Sequence, residues 1–156
     1  MIKTRKHLGL CIALLTLNLV FIWGNSLLPG ELSGALSNWL KDALSALFGK
    51  PSGIPGGSGL LRKLAHFTEF TCLGMCLSWL MRMVRKTPAE HLLLPLAAGF
   101  CAACIDETIQ MFVPLRGPAI KDVGIDTAGV VLGIVIITLT QIKKNKDLKY
   151  LEENKQ

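Results

Sequence analysis

Four stretches of about 20 mostly apolar residues constrain this chain most, because each is long enough to cross a bilayer as a helix. They cover residues 8–24, 64–84, 92–113 and 123–142. The last stretch contains Gly129 and Gly133 in a G-x-x-x-G pattern, which indicates close packing within a helical bundle. The sequence therefore predicts an all-α, polytopic membrane protein with four transmembrane helices, in a single domain covering residues 1–156.

The composition agrees with a membrane protein. Apolar residues make up 51% of the chain and charged residues only 18%, whereas soluble domains have about 25% charged residues. These figures argue against a cytosolic enzyme and against a disordered chain. The net charge is +6, but the basic residues lie between apolar runs rather than in one stripe, so we expect no nucleic-acid partner. The first stretch is predicted to be a retained anchor, because residues 23–26 lack the small-residue pattern of a signal-peptide cleavage site.

An amphipathic segment lies in the long connection between the first two stretches. Apolar residues recur at helical spacing within residues 34–48, and Trp39 borders this apolar face. The recurring residues are Leu36, Leu40, Leu44, Leu47 and Phe48. The pattern predicts an interfacial helix that lies on the outer membrane surface.

The basic residues predict the orientation in the membrane. Of the 17 Lys and Arg residues, most fall at the N-terminus, between the second and third stretches, and in the charged tail, residues 143–156. Cytoplasmic flanks carry such an excess. Both termini are therefore predicted to be cytoplasmic, and the interfacial helix is predicted to face outward.

Ionisable residues collect toward the outer ends of three predicted helices. On this topology they form polar stripes at similar depth, and a charge that faces lipid costs several kcal/mol. The stripes should therefore face one another around an outward-facing pocket. Its predicted acid–base residues are His66, Glu69, Asp106 and Glu107. Its predicted ligand-binding residues are Arg62, Gln110, Arg116, Asp122 and Asp126.

Other interpretations of these residues remain open. Buried charges can pair simply to hold a bundle together. Hard ligands for a divalent cation could come from His66, Glu69, Asp106 and Glu107, which would make the chain a metal-dependent membrane enzyme. The residues do not decide whether a reaction is catalysed or which cofactor, if any, is bound. A non-catalytic structural or immunity role would use the interfacial helix. A transporter is disfavoured, because the inner halves of the helices lack ionisable residues that match those of the outer halves and no inverted repeat is visible.

Three consecutive motifs resemble a known family. Residues 63–70 match K-x-x-H-F-x-E-[YF], residues 106–116 match D-E-x-x-Q-x-F-x-P-x-R, and residues 122–129 follow the pattern D-[VL]-x-x-N-x-x-G. Together they resemble the VanZ-like family of bacterial membrane proteins. Asn25-Ser26 resembles a weaker signature of the same family. Asp126 departs from the family pattern, which usually has Asn at this position, and a proton, a cation or Arg116 must compensate the charge of its carboxylate.

The resemblance implies a multi-pass protein of the bacterial plasma membrane and a role in low-level resistance to teicoplanin, a lipoglycopeptide. An outer-leaflet pocket suits an amphipathic envelope ligand, with its tail in lipid and its head in the polar site. The expected partners are membrane lipid and either a lipid-linked cell-wall intermediate or the lipoglycopeptide itself. The oligomeric state stays open.

Overall fold

The computed structural model describes residues 2–48, 57–117 and 119–153, and these residues form five α-helices and no strand. The helices are α1 (Ile2–Ser26), α2 (Gly30–Phe48), α3 (Gly57–Val84), α4 (Pro88–Met111) and α5 (Ile120–Glu153). The predicted all-α class is confirmed. Each helix begins several residues before the sequence segment from which it was predicted, because the helix also includes residues that precede the apolar run.

The start and end of α4 have local causes. Thr87 Oγ1 accepts a hydrogen bond from the Glu90 backbone N–H, and the Glu90 carboxylate accepts one from the Thr87 backbone N–H. This reciprocal capping box satisfies two backbone donors that a helix start leaves unpaired. Pro88 fits the first turn because it has no N–H to satisfy. After Met111 the chain reverses at Leu115, whose φ of 59° lies in the left-handed region.

Three of the described helices are long and apolar enough to cross a membrane. They are α1 from His7 to Ser26, α4, and α5 as far as Glu152. Large apolar side chains such as Leu17, Leu93 and Leu139 are exposed on their outer surfaces, and exposed apolar area of this kind is typical of lipid contact. α3, whose N-terminal half carries Arg62, Lys63, His66 and Glu69, does not meet the same criterion.

The α3 helix contacts each of the other four helices, and its most extensive contact is with α5. α3 and α5 run parallel. Gly129 of α5 lies against the Phe67 carbonyl of α3, and Gly133, one turn later, lies against the Thr71 carbonyl. The absence of a side chain at both glycines lets the two backbones touch, so the G-x-x-x-G pattern packs within the bundle.

The remaining helices complete the bundle around α3. α1 runs antiparallel to α3, because Cys11 donates to the Cys76 carbonyl near one end and Asn25 donates to Glu69 near the other. An apolar core of α1, α3, α4 and α5 side chains fills the interior below the polar residues. Its members include Ile22, Phe70, Leu73, Leu77, Ala103, Val130 and Ile134.

The predicted interfacial segment and tail are both helical where described. α2 begins at Gly30, which packs against the Leu115 backbone and donates its N–H to the Pro114 carbonyl. The Leu36 and Trp39 side chains on α2 are exposed. The predicted tail, residues 143–156, continues α5 to Glu153, and its last three residues lie outside the described part.

Candidate functional site

Buried polar side chains collect at one end of the bundle, where α1 and α4 end and where α3 and α5 begin. We call this set the polar cluster. Eight of its members are buried, and Asn25 and Arg62 are partly buried. The cluster comprises Asn25, Ser26, Arg62, His66, Glu69, Asp106, Glu107, Gln110, Arg116 and Asp126. Burial of so many polar groups is costly unless they are hydrogen-bonded or paired.

Gln110 on α4 connects three helices within the polar cluster. Its Nε2 donates to Asp106 Oδ2 at 2.7 Å and to Ser26 Oγ at 3.3 Å. Its Oε1 accepts a hydrogen bond from the Arg62 guanidinium of α3. An amide suits this position because it offers both a donor and an acceptor.

His66, Asp106 and Asp126 form the innermost part of the polar cluster. His66 Nδ1 lies 3.6 Å from Asp106 Oδ2, and Asp106 is fully buried. One ligand atom from each of the three residues lies within 4.8 Å of the other two. The predicted metal set also included Glu69 and Glu107, but the structure groups His66 and Asp106 with Asp126 instead.

Glu69 and Glu107 point to different neighbours. Glu69 Oε1 accepts a hydrogen bond from Asn25 Nδ2 at 3.1 Å, while its buried Oε2 has no hydrogen-bond partner among the described residues. Glu107 Oε2 accepts one from the Ala119 backbone N–H at 2.9 Å. Glu107 therefore holds the connection that leads into α5, and Glu69 faces α1.

Arg116 ties the α4–α5 connection to the end of α1. Its Nη2 donates to the Asn25 carbonyl at 2.7 Å and its Nε donates to the Leu28 carbonyl at 3.1 Å. A cation at the carbonyl end of a helix is favourable. Burial lowers the pKa of the Arg116 guanidinium, and the nearby Arg62 charge lowers it further. The side chain nevertheless stays charged near neutral pH.

Asp122 lies at the rim of the polar cluster. Its carboxylate pairs with the Lys63 ammonium at 3.1 Å, and the Lys63 side chain is 47% exposed. An exposed pair of this kind contributes little stability. Asp122 therefore lies at the edge of the polar cluster rather than inside it.

A small cavity opens beside the polar cluster, between α3, α4 and α5. It measures about 20 Å³, and its walls include Arg62, His66, Gln110, Asp122 and Asp126. A space of roughly 10–15 Å³ on this measure holds one water molecule. The cavity thus fits one water or one small ion.

Two larger apolar grooves lie on another face of α3, between α1, α2 and α3. They measure about 470 and 540 Å³, and both are lined by Phe21, Ala65 and Glu69. The remaining walls are mostly apolar, with Leu17 and Leu64 among them. Glu69 is thus a buried carboxylate that opens onto an apolar surface.

All nine predicted site residues lie at this end of the bundle, and the structure adds two that the prediction did not include. Asn25 and Ser26 end α1 and bond to Glu69 and Gln110. Two signals were available: they are consecutive polar residues directly after an apolar run, and they resemble a weaker signature of the VanZ-like family.

Comparison with known proteins gives one match. A sequence model of the family described as VanZ/LLP1 matches residues 7–141, which include the polar cluster and all of α3 and α4. No curated protein and no solved structure matches the chain at a significant level.

Proposed function

Because this chain belongs to the VanZ/LLP1 family, we propose that it binds an amphipathic molecule of the bacterial cell envelope at an outward-facing site in the plasma membrane. The molecule is a lipoglycopeptide of the teicoplanin type or a lipid-linked cell-wall intermediate. Its binding would give low-level resistance to teicoplanin.

The proposal takes α3 as the fourth membrane span. α3 runs beside α5 from the Phe67–Gly129 contact to the hydrogen bond between Arg82 and Thr138. The distance along α3 is ~22 Å at 1.5 Å per residue, which covers most of the hydrocarbon core. The central position of α3 buries His66 and Glu69 of its charged N-terminal half, and the more exposed Lys63 lies at the rim of the polar cluster. Four spans place both termini on the same side, and the basic flanks favour the cytoplasm.

α2 is proposed to be the interfacial helix at the outer surface. It lies at the same end of the bundle as the polar cluster, because Gly30 packs on the connection that carries Arg116. Leu36 and Leu40 of α2 line the apolar grooves. α2 would therefore cover the entrance through which an amphipathic molecule reaches Glu69.

One observation carries this proposal: the buried carboxylate of Glu69 lines both apolar grooves. A groove of about 540 Å³ is within the size range of small-molecule sites, which are mostly apolar with a few polar groups. An acyl chain would occupy the groove, and the polar head would reach Glu69 and Asn25. Glu69 Oε2 and Arg116 Nη1 are buried atoms without hydrogen-bond partners among the described residues. They offer an acceptor and a donor to the head.

The same arrangement gives each predicted site residue a proposed role. Glu69 would accept a hydrogen bond or a proton from the ligand, because it alone among the buried carboxylates borders the described grooves. Arg116 would bind an anionic group of the ligand. Arg62 and Gln110 would hold the interior of the polar cluster behind Glu69.

The test compares teicoplanin and vancomycin susceptibility in a sensitive Gram-positive host at matched membrane levels. The variants are Glu69→Gln, which removes the charge, and Ala65→Trp, which fills both grooves. Each has a matched control with the same change at an exposed position: Glu152→Gln in the C-terminal part of α5 and Ala98→Trp on α4. We expect protection by the wild type and both controls, and its loss in both site variants.

Each result has a distinct meaning. Protection against teicoplanin alone supports recognition of an acylated ligand, whereas equal protection against vancomycin supports an envelope intermediate that affects both antibiotics. Equal protection by all five proteins would show that the site is structural. No protection by any protein would refute the proposed link to glycopeptides.

A further inference from the structure

Asp126 is the least compensated carboxylate in the polar cluster. It is 1% exposed, and neither side-chain oxygen has a hydrogen-bond partner among the described residues. Its side chain also lines the water-sized cavity between α3, α4 and α5. A carboxylate in such a place must be neutralised, either by a proton or by a cation.

Two potential ligands stand next to Asp126. His66 and Asp106 each place one ligand atom within 4.8 Å of the other and of an Asp126 oxygen. Two ligands of a tetrahedral zinc ion are about 3.4 Å apart when each is about 2.1 Å from the metal. The His66 Nδ1 to Asp106 Oδ2 distance is 3.6 Å, so this pair already has the spacing of two zinc ligands, and an Asp126 oxygen lies within 4.8 Å of both.

A hydrogen bond already orients one of these ligands. Gln110 Nε2 donates to Asp106 Oδ2, and Gln110 is itself held by Ser26 and Arg62. Metal-binding carboxylates are commonly fixed by such outer contacts. Asp106 Oδ1 is buried and has no hydrogen-bond partner among the described residues, so this carboxylate keeps a free oxygen.

The charged side chains around the cavity leave an excess of two negative charges. Arg62 and Lys63 line the cavity together with the carboxylates of Glu107, Asp122 and Asp126. Asp106, which lies next to His66 and Asp126, adds a fourth carboxylate. The excess equals the charge of one divalent cation.

We propose that His66, Asp106 and Asp126 bind one divalent first-row transition-metal ion. One imidazole and two carboxylates suit zinc, manganese or ferrous iron better than magnesium or calcium, which prefer oxygen ligands alone. The cavity of about 20 Å³, which His66 and Asp126 line, is large enough for one small ion. This site lies on a different face of α3 from the apolar grooves, and its existence does not depend on the proposed envelope ligand.

The test uses the full-length protein in detergent, without a polyhistidine tag and stripped with a chelator. Zinc, manganese and magnesium are titrated by calorimetry and by their effect on the thermal midpoint. Asp126→Asn keeps the shape of the side chain but removes its charge. Asp147→Asn makes the same change at an exposed position on the same helix.

We expect wild type and Asp147→Asn to bind one equivalent of zinc or manganese, with a saturable rise in thermal midpoint. Asp126→Asn should bind at least tenfold more weakly. Without metal it should melt at or above the wild-type midpoint, because it no longer buries an unpaired charge. Cobalt added to the wild type should give visible absorption bands of a bound ion, which Asp126→Asn should lack.

Three results would overturn the metal site. The first is the absence of stoichiometric zinc or manganese binding in the wild type. The second is equal affinity in Asp126→Asn, and the third is a magnesium response as strong as that to zinc. Glu69→Gln should lose antibiotic protection yet keep the zinc response, so failure of the proposed function and failure of the metal site are distinguishable.

Discussion

Replacing Gly129 by alanine is expected to push α3 and α5 apart where they hold the site. A Cβ atom at this position would lie 2.5 Å from the Phe67 carbonyl oxygen and 3.2 Å from the Thr71 backbone nitrogen. The first distance is about 1 Å short of a comfortable van der Waals contact. Backbone atoms cannot rotate away as the end of a side chain can, so the helices themselves must move.

The magnitude follows from comparison with Gly124 on the same helix, where a Cβ atom would meet nothing within 4 Å. Alanine in place of glycine favours a helix by about 1 kcal/mol, and both variants share this gain. Their difference in unfolding free energy is therefore the overpacking cost at Gly129, about 1–3 kcal/mol. Unfolding in detergent, followed by far-UV circular dichroism, measures this difference.

The same substitution should also weaken the proposed metal site. His66 directly precedes Phe67 on α3, and Asp126 lies less than one turn before Gly129 on α5. Separation of the two backbones moves these side chains apart, so the zinc response should decrease in Gly129→Ala and persist in Gly124→Ala. Equal stability of the two variants would refute the close contact of α3 and α5.

Three further substitutions test other contacts. Arg116→Lys should lower the unfolding free energy by about 1–2 kcal/mol, because one ammonium replaces two separately directed bonds to carbonyls; an unchanged thermal midpoint would contradict this anchoring. Ser26→Ala should lower the unfolding free energy by about 1 kcal/mol, because the Gln110 amide loses Ser26 as an acceptor and keeps Asp106. A chemical denaturation curve that overlays the wild-type curve would contradict this expectation. Thr87→Ala should lower the unfolding free energy by about 1 kcal/mol through loss of the α4 N-cap. It should leave antibiotic protection per molecule unchanged, because Thr87 lies at the opposite end of α4 from the polar cluster. Reduced protection at matched membrane levels would show that the two ends of α4 are coupled.

Apolar patterning was sufficient to predict the helical class and the polar stripes, because both depend on the periodicity of single helices. The spacing of His66 and Glu69 predicted one stripe of a helix for both, and both lie in the N-terminal half of α3. Periodicity does not show which neighbouring helix each residue meets. Glu69 turns toward Asn25 on α1, whereas His66 turns toward Asp106 on α4.

The sequence also could not show which groups two adjacent residues contact. Asp106 and Glu107 are consecutive, but successive residues project about 100° apart around a helix. Asp106 therefore points into the interior, and Glu107 points to the Ala119 backbone N–H. The grouping of Asp106 with Asp126 depends on the register between α4 and α5, which only the packed bundle reveals.

The position of α3 explains how one small bundle can offer two chemically different sites. Its Glu69 side opens onto the apolar grooves beside α1 and α2, and its His66 side meets Asp106 and Asp126 at a cavity of atomic size. An acyl chain fits the first side and not the second, whereas the excess negative charge lies largely on the second. Because the two faces of α3 meet different helices, the proposed amphipathic ligand would not displace the proposed ion among α3, α4 and α5. The charged N-terminal half of α3 lowers the hydropathy of that helix, and it contributes Glu69 to one proposed site and His66 to the other.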